Sequence, residues 1–197
     1  MTADRLRQQL DFVLEIDRLK GVGRQSYVLD GARKENSAEH SWHVAMMALV
    51  LSEHAPEAVD LVRVLRMLLV HDLVEIDAGD AYFYDSAANE VKPEREKEAA
   101  ARIFGLLPPE QAETLRQAWE EFEACETSEA RFAKSLDRLM PLLHNIHTKG
   151  RSWQEHGIRR HQVAERLLPE LAHANPTFHQ LASDMIENAV RQGWLAE

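Results

Sequence analysis

Apolar residues recur along this chain at intervals of three and four, the spacing of one helix face, and no run alternates convincingly with period two. The pattern predicts an all-α protein. Leu6, Leu10, Val13, Leu14 and Ile16 mark the apolar side of a first helix over residues 3–20, ended by Gly21 and Gly23. Residues 21–35 read as a loop carrying Arg24, Tyr27, Arg33 and Lys34. Asn36 followed three residues later by Glu39 forms a capping-box signature and opens a helix to about His54. Pro56 suits the first turn of the next helix, which is expected to run to about Gly79. A loop over 80–92 follows, then a charged helix from Pro93 to Phe104 and another from Pro108-Pro109 to about Cys125. Ser128 is placed to cap a long helix reaching about Thr148, with a kink at Pro141 and a stop at Gly150. Two more helices are expected over 157–173 and 176–192.

The 197 residues show no repeat or linker, so the whole chain, 1–197, is expected to form one domain. Hydrophobic content of 45% and charged content of 28% belong to an ordinary globular protein with a substantial core. The formal net charge of −10 argues against a nucleic-acid polymer as partner, because such partners select for basic surfaces. It leaves room for a small phosphorylated substrate, which needs only a local cation. Cys125 is the sole cysteine, so no intramolecular disulfide forms and the cytoplasm is the expected compartment. The charged N-terminus lacks a signal-peptide core, and no uncharged apolar run approaches the roughly 20 residues of a membrane helix.

The chemistry enters in the run Leu65-Arg66-Met67-Leu68-Leu69-Val70-His71-Asp72-Leu73-Val74-Glu75. On a helix Asp72 shares a stripe with Leu61, Leu65 and Leu68, and His71 lies above Met67 and Leu68. Both polar groups point at a core, where an unpaired carboxylate costs several kcal/mol or shifts its pKa. A buried His–Asp hydrogen bond would resolve this, and so would a metal ion. Two further residues share the anomaly. His40 opens a helix otherwise filled with Met, Val and Leu, and Asp137 sits one turn from Ala133 and Met140. Two imidazoles and two carboxylates leave coordination positions for water, as metal-assisted hydrolysis requires.

The order His40, His71-Asp72, Asp137 resembles the HD-domain superfamily of metal-dependent phosphohydrolases over roughly residues 15–150. Glu39-His40, His71-Asp72-Leu-Val-Glu75 and Gly79-Asp80 look like the branch containing bacterial 5′-deoxynucleotidases and the eukaryotic HD-domain-containing protein 2. The resemblance implies an all-α HD-domain helical bundle, with the C-terminal helices packed on the core. It implies His40, His71, Asp72 and Asp137 as metal ligands, and Glu75 as the group that activates or orients the attacking water. Asp80 matches a second acidic position of that branch, with Asp77 as its competitor. Arg24 matches a phosphate-contacting arginine, and a guanidinium grips phosphate with two donors. The bacterial members place a tryptophan directly after this arginine, in the sugar and base pocket. This chain has Gln25 there and Tyr27 nearby.

The function expected from the resemblance is a metal-dependent phosphomonoesterase acting on nucleoside, and by analogy deoxynucleoside, 5′-monophosphates. The alternatives are a phosphohydrolase of another small phosphorylated metabolite and a non-catalytic nucleotide-sensing module. One divalent ion per chain is expected, because no histidine lies between Leu73 and Leu136 to hold a second. Mn²⁺ and Co²⁺ lead, and other transition metals and Mg²⁺ are compatible. A homodimer is expected from relatives, although no stripe of the sequence marks its interface. His43, His144, His147, the tryptophans and Glu94-Arg-Glu-Lys-Glu98 receive bland readings as packing, surface or solvated residues.

Overall fold

A computed structural model describes residues 3–197, with the side chains of residues 86–89 outside the description. The described chain is helical apart from one small antiparallel hairpin, β1 (Gly23–Tyr27) with β2 (Lys34–Asn36). In order, the helices are α1 (Ala3–Glu15), α2 (Ser37–Leu51), α3 (Leu61–Val70), α4 (Glu75–Ala78), α5 (Ser86–Phe104), α6 (Pro109–Ala124), α7 (Ser128–His147), α8 (Arg151–Glu155), α9 (Arg160–Ala174) and α10 (Pro176–Arg191). No helix among the described residues is long and apolar enough to cross a membrane.

Helix α7 is the centre of the bundle, packing against α2, α3, α6, α9 and α10. Its inner face buries Phe132, Ala133, Leu136, Leu139, Met140 and Leu142. One buried cluster runs from Phe12 near the start to Leu195 near the end, and Val163, Leu167 and Leu171 of α9 join it. Fully burying such a side chain is worth about 1.5–3 kcal/mol, so the C-terminal helices are integral to the core.

Local signals place several ends. The Asn36 side chain accepts from the Glu39 amide at 2.9 Å, and Glu39 accepts from the Asn36 amide, completing the capping box. Cys125 ends α6 in the left-handed region at φ 52°. Gly150, at φ 73°, brings its backbone against the carbonyl of Trp194, where a Cβ would have no room.

Other ends differ from expectation. The loop expected over 21–35 pairs into the hairpin; three- and five-residue strands are too short to show a period. Pro56 does not start α3. Asp60 does, by accepting from the amides of Val62 and Arg63. Thr127, rather than Ser128, caps α7. Helix α5 begins at Ser86 and carries Pro93 inside it. The first helix stops at Glu15 and tightens into a 3₁₀ segment over Ile16–Gly21. Of its apolar side, Leu6, Leu10, Val13 and Leu14 all lie half or more exposed, and Phe12 is the buried residue.

The largest difference concerns the His-Asp pair. No continuous helix runs from Leu61 to Gly79. After Val70 the chain closes shorter turns, Leu73 N–H to Val70 O, Glu75 N–H to Asp72 O and Ile76 N–H to Leu73 O, before α4 resumes. His71 and Asp72 therefore sit on a tight turn between two helices, each 5–6% exposed.

Candidate metal centre

Three segments converge on one point. Helix α2 presents His40 from its first turn, the turn after α3 presents His71 and Asp72, and α7 presents Asp137. All four are buried. Ligand atoms of His40, His71 and Asp72 lie within 4.8 Å of one another. Asp137 Oδ1 is 2.9 Å from His40 Nε2 and 3.6 Å from His71 Nε2. Pro141 follows Asp137 by one turn, and the two line one cavity together with His71, Asp72 and Arg24; without an N–H Pro141 leaves the Asp137 carbonyl without its i+4 donor.

The donor set fits a divalent cation on its own chemistry. His71 Nδ1–H donates to the Leu68 carbonyl at 2.9 Å, which leaves the lone pair on Nε2. That Nε2 is buried without a hydrogen-bond partner, 3.1 Å from Asp72 Oδ1. A nitrogen lone pair facing a carboxylate oxygen is repulsive, and a cation between them removes the conflict.

Electrostatics keep the carboxylates ionised. Burial opposes charge on Asp72, but His71 and Arg24 outweigh it and hold the pKa low. Burial likewise opposes charge on Asp137, and Arg138, the hydrogen bond from His40 and the nearby His71 ring drive its pKa well down. Arg138 Nη1 donates to Asp137 Oδ2 at 2.9 Å. Burial and Arg24 both disfavour a proton on His40, yet Asp137 and Glu35 prevail and raise its pKa to about 9.

Around this point the remaining expected residues fall into place. Arg24 projects from β1, and its Nη1 donates to Asp72 Oδ2 at 2.8 Å. Burial disfavours its charge, but Asp72, Glu75, Asp80 and Asp137 hold it fully charged. Glu75 opens α4, 3% exposed, and accepts a hydrogen bond from Ser37 Oγ at 2.7 Å. Burial, with Asp72 and Asp80 beside it, pushes its pKa well above the carboxylate range. Asp80 lines the same cavity, and burial raises its pKa too, with Arg24 opposing. Asp77 faces away: it is exposed and paired with Arg102 of α5. Of the two aspartates, Asp80 is the one that lines the cavity.

The cavity wall also holds residues the sequence did not single out. Tyr82, Phe83 and Tyr84 form an aromatic side, with the Arg138 guanidinium 4.6 Å from the Phe83 ring centre. Glu96, expected on a solvated face, is 6% exposed and pairs with Lys92 at 3.2 Å. His144, expected near the surface, is 3% exposed. Trp119 and Trp153 are packing residues, whereas Trp42 is 63% exposed. Glu35 is the main omission: a buried carboxylate in β2, beside His40 and Arg24. It directly precedes the capping box, and a three-residue strand offers no periodicity to flag it.

Comparison with known proteins agrees with this geometry. The HD domain family matches residues 16–179. The protein named 5′-deoxynucleotidase HDDC2 from Bos taurus is 35% identical over 138 residues, covering 70% of this chain and 66% of its own length. The chain thus spans about two thirds of the length of that curated relative. The crystal structure of a predicted metal-dependent phosphohydrolase from Magnetospirillum magnetotacticum MS-1 is 52% identical, covers 98% of this chain and 96% of its own, and superposes with a TM-score of 0.93. A conserved hypothetical protein from Pyrococcus furiosus, 23% identical with a TM-score of 0.60, covers 92% of this chain and 99% of its own and shares the fold. Four buried ligand-type side chains in the order His, His-Asp, Asp, on a helical bundle that matches over most of its length, lead to one conclusion: this chain belongs to the HD domain family.

Proposed function

We propose that this protein is a metal-dependent phosphomonoesterase that hydrolyses nucleoside 5′-monophosphates, deoxynucleotides foremost, to nucleoside and phosphate. The observation that carries the reading is the convergence of His40, His71, Asp72 and Asp137 on one point, beside a cavity lined by the last three together with Arg24, Glu75 and Asp80. The name 5′-deoxynucleotidase borne by the relatives supports the substrate class. A divalent ion held by the four ligands, with Mn²⁺ and Co²⁺ foremost, supplies electrophilic stabilisation of the phosphate and acidifies water.

The chain's own residues do the rest. Arg24 binds and orients the phosphate, exchanging its hydrogen bond to Asp72 for substrate oxygens. Glu75, at the cavity with a raised pKa, takes the proton of the attacking water. Water oxygen bonds to phosphorus, the bond from phosphorus to the 5′ oxygen breaks, and Asp80 supplies the proton that oxygen needs. Asp80 suits this role because burial keeps its proton on at higher pH than an exposed aspartate would. Tyr82, Phe83 and Tyr84 offer apolar faces to the nucleoside.

The test is phosphate release from a panel of nucleoside 5′-monophosphates and other phosphorylated metabolites by metal-loaded protein. Turnover confined to non-nucleotide phosphates would reject the substrate class. Arg24→Ala is expected to raise KM with the metal retained. Losing charge-assisted hydrogen bonds worth about 2 kcal/mol corresponds to roughly 30-fold. Unchanged kinetics on every substrate would remove Arg24 from the site.

The same reading includes one domain over residues 1–197, a cytoplasmic setting and a homodimer. The continuous buried cluster supports the first, and the single cysteine with a nucleotide substrate supports the second. For the dimer the support is an outward apolar stripe on α2, in which Trp42, Met46, Leu49 and Val50 are 40–66% exposed. Sedimentation should give twice the chain mass, and Trp42→Glu should lower it to one chain. A wild-type monomer at working concentration rejects the dimer.

A further inference from the structure

We propose that Glu35 is a positioning residue of this site, whose carboxylate fixes a metal ligand, His40, and the phosphate-binding cation, Arg24, relative to each other. The inference rests on the roles given above to His40 and Arg24.

Glu35 is the middle residue of β2 and is 3% exposed. Its Oε2 lies 3.4 Å from His40 Nδ1, 3.7 Å from Arg24 Nε and 3.8 Å from His144 Nδ1. All four of these atoms are buried and none has a hydrogen-bond partner elsewhere. A buried polar atom left unpaired costs about 1–3 kcal/mol. The atoms thus have only each other to pair with, and His40 Nδ1 is the nearest to the carboxylate.

The chemistry of His40 makes this arrangement specific. Its Nε2 faces Asp137 and the metal point. To be a ligand, Nε2 must carry a lone pair, so the ring proton must sit on Nδ1. An acceptor at Nδ1 holds that tautomer, fixes the ring and makes Nε2 more basic. His71 receives this service from the Leu68 carbonyl. For His40 the acceptor in place is a carboxylate, the stronger kind. The same carboxylate faces Arg24 Nε while Asp72 takes Nη1, so two carboxylates pin one guanidinium from two sides. Glu35 thereby ties β1, which carries Arg24, to α2, which carries His40.

Glu35, His43 and His144 also bring one ligand atom each within 4.8 Å, which raises a different role for Glu35, as ligand to a second cation. The positioning role is favoured because the Glu35 oxygen already faces two donors, His40 and Arg24, and a dication there would compete with the Arg24 charge.

The experiment compares wild type, Glu35→Gln, Glu35→Asp and His71→Ala as folded proteins, stripped and titrated with Co²⁺. Glu35→Gln keeps the size of the side chain and removes its charge. It is expected to weaken Co²⁺ binding by about 10- to 100-fold, as loss of a partner behind a ligating histidine does. It should also raise KM for a deoxynucleoside 5′-monophosphate, and Glu35→Asp should recover part of both. Nitrogen-15 NMR of Zn²⁺-loaded wild type should show the His40 proton on Nδ1; this holds the idea to account even if Glu35→Gln fails to fold. Unchanged Co²⁺ affinity and KM in folded Glu35→Gln overturns the proposal, as does a His40 without a proton on Nδ1. A second Co²⁺ in wild type that disappears in His144→Ala overturns it in favour of the ligand role. Failure of the underlying site reading is separate: His71→Ala would then bind Co²⁺ as wild type does.

Discussion

Glu75→Gln should leave the metal bound and lower kcat by about 10²- to 10⁴-fold, the range of a positioned general base. Glu75 lies at the first residue of α4, one turn beyond the His-Asp pair, where it faces the cavity without being part of the ligand cluster. Ser37 holds one of its oxygens at 2.7 Å, and burial with Asp72 and Asp80 raises its affinity for a proton. A carboxylate in that state accepts a proton from water far better than an exposed glutamate does. Glutamine preserves the shape and can still accept from Ser37, but it cannot take the proton. The loss should therefore appear in kcat, with metal content and KM close to wild type. Metal content measured on the purified variant separates the alternatives. If the ion is lost with the substitution, Glu75 is a ligand; if turnover survives, another group serves as the base.

Removing the metal should abolish turnover, and adding Mn²⁺ or Co²⁺ to the stripped protein should restore it. Asp72 and Asp137 are buried carboxylates held ionised, and His71 Nε2 has no hydrogen-bond partner of its own. Arg24 can grip the phosphate, but a guanidinium does not acidify water as a bound dication does, so it does not replace the ion. The same ion should stabilise the fold. At a free concentration 100 times its Kd it adds about 2.7 kcal/mol, visible as a rise in Tm that His71→Ala should lose. Full turnover by freshly stripped protein would reject metal-assisted hydrolysis. A rise in Tm that His71→Ala retains would place the ion elsewhere.

Much of the site was legible before any coordinates. His40, His71, Asp72 and Asp137 each stood out as a polar residue on an apolar helix face, and all four meet. That logic survives although one of its premises does not. His71 and Asp72 lie on a turn between α3 and α4, not within a long helix, and tertiary packing buries them there all the same. The same logic misses Glu35 and Glu96, whose neighbours in sequence are polar enough to conceal their burial, and His144, which is buried although it follows the apolar run Met140 to Leu143. On α1 the pattern finds the helix but not what covers it. A clear apolar stripe, Leu6, Leu10, Val13 and Leu14, lies outward, because periodicity reports that a helix has an apolar face and not which surface will cover it.

Local sequence by itself determined the helical class, the capping box at Asn36, the end of α6 near Cys125 and the chain order of the four ligand-type residues. These depend on residues within one or two turns of each other, where spacing and side-chain hydrogen bonds decide the outcome. Only the tertiary structure decided which acidic residues enter the cavity. Asp77 is drawn outward by Arg102 from α5, while Asp80 is left near Arg24 from β1, although the two aspartates are three residues apart. Glu35 is sheltered by His40 from α2 and His144 from α7, and Asp137 is held by its neighbour Arg138 against two imidazoles from distant segments. The free energy of a buried charge is set by whatever surrounds it in space, and those partners arrive from parts of the chain that no local pattern connects.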